Sequence, residues 1–121
     1  MDAGKVNDML VTSGFIRYNQ TNEYERGPRY NEWKSRAKIF CEQNFDLVYS
    51  MMDEGADMKQ IGAMTITHLL ADQFPEIDAN EDLAKTMVAF IMHIVDKVDP
   101  GFFNIARNKK ARQHSGVSMY A

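Results

Sequence analysis

The sequence predicts an all-α protein: a single compact domain of four to five helices, with an extended basic-aromatic arm over about 15–30 and a basic C-terminal tail. Three observations predict it. Apolar residues recur at helical spacing nearly throughout. No strand alternation lasts beyond a few residues. Stop and cap signals at Gly14, Gly55, Pro75, Asn80 and Pro100-Gly101 fall between the periodic stretches. With 121 residues, 45% of them apolar, a second domain would barely fit. The expected division is a short helix over 1–14, the arm over 15–30, a helical body over 31–106 and the tail over 107–121.

The first helix, about Asp2 to Ser13, places Val6, Met9 and Leu10 on one side, with Gly14 as its C-terminal cap. From Phe15 to Arg29 there is no sustained period. Asn, Thr, Gly and Pro mix there with aromatics and arginines, so the segment reads as an extended arm or ordered loop. A second helix is expected from about Asn31 to Glu54, stopped by Gly55, with Trp33, Ala37, Phe40, Cys41, Asn44, Val48 and Met51 as its inner stripe. Its first turns carry Lys34, Arg36 and Lys38 and its end Asp53 and Glu54, which opposes the helix dipole at both ends. The third helix fits about Asp57 to Gln73, ahead of Pro75. The fourth follows the capping signal Asp78-Ala79-Asn80-Glu81 and runs to about Asp99 as the central helix. Phe102, Phe103 and Ile105 suggest one more turn docking on the body. The third and fourth helices are apolar over so much of their circumference that self-association is the economical way to cover them.

The net charge of −3 conceals an asymmetry: −1 over residues 1–16, +3 over 17–38, −9 over 39–99 and +4 over 100–121. An acidic body lies between two basic segments. No apolar run approaches the ~20 residues of a membrane-spanning helix, and the N-terminus lacks a signal-peptide pattern, so an intracellular protein without membrane contact is expected. The lone Cys41 makes no internal disulfide.

No diagnostic catalytic motif emerges, and the expectation is a non-enzymatic protein without cofactor or metal. His68 with Asp72 and His93 with Asp96 each put an imidazole and a carboxylate on one helix face, but two such pairs arise easily by chance in a helical protein. Cys41 sits on an apolar stripe, where cysteine behaves as a small hydrophobe. Asp78 to Asp82 resembles the start of a calcium loop, yet Leu83 stands where the glycine belongs and Ala89 where the closing Glu belongs. A helix-turn-helix at Gly55 would present Lys59 and Gln60 flanked by Asp53, Glu54 and Asp57, which repel phosphates.

The strongest functional signal is the arm with the start of the second helix: Arg17, Tyr18, Tyr24, Arg26, Arg29, Tyr30, Lys34, Arg36 and Lys38, joined by Arg107, Lys109, Lys110 and Arg112 of the tail. Bases neutralise phosphates and aromatics stack on unpaired nucleobases, which favours single-stranded nucleic acid over duplex. The same composition suits a protein interface, since Tyr, Trp and Arg dominate hot spots. The expected function is therefore an oligomerising protein that assembles through arm and tail on nucleic acid, as a nucleoprotein, packaging or accessory subunit. The alternative is an inhibitor or adaptor that binds one protein target through its acidic face.

Overall fold

A computed structural model describes residues 3–103; the predicted basic tail lies outside them. The described chain runs α1 (Ala3–Thr12), β1 (Ile16–Tyr18), β2 (Tyr24–Arg26), α2 (Tyr30–Gln43), α3 (Phe45–Asp53), α4 (Met58–Leu70), α5 (Glu76–Ala79) and α6 (Glu81–Val98). It is mostly helical, with one small two-stranded sheet.

The helices start and stop where local chemistry dictates. At the end of α1, Gly14 takes φ +81°. Its N–H donates to the Val11 carbonyl while that of Phe15 reaches back to Leu10, a Schellman closure that turns the chain and delivers Phe15 into the core. Gly55, at φ +104°, closes α3 in the same way, through Gly55 to Met52 and Ala56 to Met51. Asp57 caps α4 by accepting from the Gln60 N–H at 2.7 Å, and Asn80 caps α6 through Leu83 at 3.1 Å.

Two expectations are corrected. The helix predicted over 31–54 is two helices, broken at Asn44. The Asn44 side-chain amide donates to the Phe40 carbonyl at 2.8 Å, sharing it with the Asn44 backbone N–H at 3.0 Å, and the residue leaves helical geometry at φ −121°, ψ 40°. The segment 15–30 is no extended arm. It is a β-hairpin in register Ile16↔Arg26, Arg17↔Glu25 and Tyr18↔Tyr24, anchored to the body at its base. There Gly27 N–H donates to Phe15 O and Arg29 N–H to Gly14 O, both within 2.9 Å. At its tip the Asn19 carboxamide oxygen accepts from the Thr21 and Glu23 N–H groups, and Asn22 takes φ 63°. Strands of three residues are too short to show alternation.

α6 is central, packed against α1, α4, α5 and β2. Leu83, Met87, Ile91, Ile94 and Val95 form its buried stripe, facing Ile61, Ile66 and Leu70 of α4. Phe102 and Phe103 fold back as predicted and are buried. A Cβ on Gly62 would stand 2.7–2.9 Å from their atoms, so only glycine lets this turn lie against α4. The hairpin, α1, α5 and this aromatic turn supply much of the cover that the breadth of α4 and α6 demands, which removes most of the argument for covering them by self-association. Among the described residues, what stays outside is Ile39 at 52% and Leu47 at 55% exposure, with Val11, Tyr18 and Met64 at 38–40%. No helix among the described residues is long and apolar enough to cross a membrane.

Candidate nucleic-acid interface

The basic-aromatic residues separate into three groups. Tyr30 and Trp33 point inward. Tyr30 packs on Phe15 (5.0 Å between ring centroids) and Phe102 (6.2 Å), and Trp33, 2% exposed, donates its indole N–H to the Ser13 carbonyl at 2.8 Å. Neither ring is open to stack on a nucleobase, which corrects that role for Tyr30. Placement of Trp33 on the inner stripe, by contrast, matches its periodicity.

The second group is a buried-edge anion with three cationic or hydroxylic partners. Asp99, 7% exposed, accepts on Oδ2 from the Tyr30 hydroxyl and from Lys34 Nζ, both at 2.7 Å, while Arg26 Nη2 lies 3.5 Å from Oδ1. Arg26 also donates from Nε to the Val98 carbonyl at 3.1 Å, satisfying the C-terminus of α6. Partial burial by itself would push the Asp99 carboxyl up. The hydrogen bonds from Lys34 and Tyr30 and the charges of Lys34 and Arg26 outweigh it and hold the carboxyl below the ordinary range. Burial and the bond to Asp99 push the Tyr30 phenol far above its usual value, so it stays a donor. Asp99 was read in the sequence only as a helix end; its role depends on partners 65 and more residues away, which no local pattern reveals.

The third group remains at the surface. The Arg29 and Arg36 guanidiniums stand over the Trp33 ring at 5.2 and 4.4 Å, and Arg26 stands over Tyr30 at 5.2 Å. Arg29 also pairs with Glu32 one turn on, and this exposed pair holds the Glu32 carboxyl below its ordinary value. On the hairpin, Arg17 Nε meets Glu25 across the strands at 2.5 Å, and Tyr18 and Tyr24 stack at 5.1 Å with 30° between planes. The Tyr18 ring is exposed and its hydroxyl donates to Asn7. Lys38 is half-buried on α2. Arg107, Lys109, Lys110 and Arg112 lie outside the described residues.

Cys41 is buried against the Thr65 hydroxyl, and burial pushes its thiol up, away from a nucleophilic thiolate. His68 is exposed with its ring against Phe40 at 5.1 Å, and His93 is exposed on α6. Asp96 is taken by Lys59. Among the described residues no group of three or more His, Cys, Asp or Glu could hold a metal ion. No protein-family model, curated protein or solved structure matches the chain.

Proposed function

We propose that this chain is a non-enzymatic helical protein that oligomerises and assembles on nucleic acid, with the hairpin and the first turns of α2 as its contact surface and residues 107–121 as a second. The observation that carries this reading is the two guanidiniums seated on a ring fixed in the core, Arg29 and Arg36 on Trp33. A stacked guanidinium keeps N–H donors at its edge, and its side chain is already ordered, so less conformational freedom is lost when it grips a phosphate. The competing pair of Arg29 with Glu32 is exposed and screened by solvent, so a phosphate can displace it.

The geometry also narrows the contact set. Arg26 and Lys34 are committed to Asp99, leaving Arg36 and Lys38 for phosphates, with Arg17 and Arg29 once a phosphate displaces Glu25 and Glu32, and the Tyr18–Tyr24 pair as the stacking platform. Oligomerisation is the other half of the proposal. Ile39 and Leu47, the two most exposed large apolar side chains, lie on α2 and α3 and are the candidates for contact with a second copy.

Binding of a labelled single strand, measured across salt concentrations, tests the reading. Affinity should fall log-linearly with salt, and Arg29→Gln with Arg36→Gln should flatten the slope by about one to two units. Absence of binding to single- or double-stranded DNA or RNA at ~50 mM salt rejects it, because nonspecific attraction is strong there. Light scattering on the bound and free protein reads the oligomer.

A further inference from the structure

The outer face of α2 sets bases and carboxylates at opposite ends of one exposed row. At about 100° of turn per residue, Ser35, Ile39 and Glu42 lie within about 60° of one another around the helix, and all three are exposed. Arg36 and Lys38 flank that row on either side, each partly buried. Just past the break at Asn44, Asp46 and Leu47 line a cleft of about 370 Å³ together with Glu42, so the row continues onto the first turn of α3. Ile39 at 52% and Leu47 at 55% are the two most exposed of the large apolar side chains among the described residues.

Neighbouring bases on α2 and just before it are taken: Arg29 pairs with Glu32 and Lys34 with Asp99. Among the described residues, Arg36, Lys38, Glu42 and Asp46 enter no ion pair, although Arg36 lies over the Trp33 ring. A row that runs from base to carboxylate complements itself when a second copy is turned end for end. Lys38 then meets Glu42, and Arg36 meets Asp46, across the contact. Both pairs are centred on residues 40 and 41, so a single antiparallel register serves both and brings the two Ile39 side chains together. A parallel pairing would set base against base. A basic segment of some other protein would answer Glu42 and Asp46 and leave Arg36 and Lys38 facing like charge, which selects a second copy as the occupant.

We infer that two copies of this chain pair antiparallel about a two-fold axis, through the outer face of α2 and the first turn of α3, with Ile39 at the axis. The inference deepens the oligomer half of the proposed function and rests on it for the existence of a second copy. It concerns the free protein, in which no phosphate competes for Arg36 and Lys38. The contact is small and its charges are solvated, so its affinity is micromolar or weaker and falls with salt.

Sedimentation of the full chain at ~100 µM protein and ~50 mM salt tests it, with wild type expected to populate a dimer. Arg36→Glu with Lys38→Glu, and separately Glu42→Lys with Asp46→Lys, should each raise the dissociation constant about tenfold or more, because like charges then face each other in both pairs. An equimolar mixture of the two variants should associate as wild type does, since opposite charges face again. Ile39→Ser, which leaves every charge and the Arg36–Trp33 contact in place, should also weaken the dimer, and unchanged thermal midpoints of the dilute variants check the fold. A wild type that stays monomeric overturns the inference together with the oligomer half of the proposed function. An oligomer indifferent to Ile39→Ser and to both charge variants overturns this face and leaves that half standing. A mixture no stronger than its separate components, or growth beyond two copies, overturns the antiparallel two-fold.

Discussion

Replacing Asp99 with Asn tests the account of how the hairpin, α2 and α6 are locked together. The wild-type carboxylate, 7% exposed, serves Tyr30, Lys34 and Arg26 at once. A hydrogen bond to a charged group is worth about 1.5–3 kcal/mol and a neutral one about 1 kcal/mol. Asparagine keeps one carbonyl oxygen, so the Tyr30 hydroxyl can still donate to it. The charge-assisted bond from Lys34 and the attraction of Arg26 are lost. The expected cost at neutral pH is about 1.5–3 kcal/mol, read by urea unfolding.

Its pH dependence has a definite sign. The folded Asp99 carboxyl is held below its ordinary value, so its contribution is present above the unfolded pKa of about 3.9 and is lost as pH falls through the folded pKa. The stability gap between wild type and Asp99→Asn should thus hold at neutral pH and close in acid below about pH 4. A gap under about 0.5 kcal/mol, typical of an ordinary surface substitution, would refute the lock. So would a gap of the same size at neutral pH and in acid.

Trp33→Ala should cost about 3–5 kcal/mol in urea unfolding, since the ring is fully enclosed, and it should weaken strand binding by releasing Arg29 and Arg36. Gly62→Ala should cost about 1–3 kcal/mol in thermal unfolding, because the new methyl stands within 3 Å of Phe102 and Phe103 and must displace the turn. Neutralising Lys109, Lys110 and Arg112 together should flatten the salt slope of strand binding by up to about three units without changing the thermal midpoint.

The helical framework was legible because its signals are local. Gly14 and Gly55 closed helices where the sequence placed stops, and Asn80 and the Pro100-Gly101 turn bounded α6. The break at Asn44 was hidden because its neighbours Cys41, Val48 and Met51 keep the helical spacing on both sides of it. The break is a change of backbone geometry at one residue, whose side-chain and backbone N–H groups share the Phe40 carbonyl. The hairpin was hidden for a different reason: its strands contribute one buried residue, Ile16, between them, and its order comes from Gly14, Phe15, Gly27 and Arg29 at its base. Within the candidate interface the composition named the basic and aromatic residues but could not divide the buried from the exposed among them. Periodicity put Trp33 on the inner stripe, but Tyr30, at the helix start, looks the same in sequence whether it faces solvent or the core. Asp99, distant along the chain, decides it.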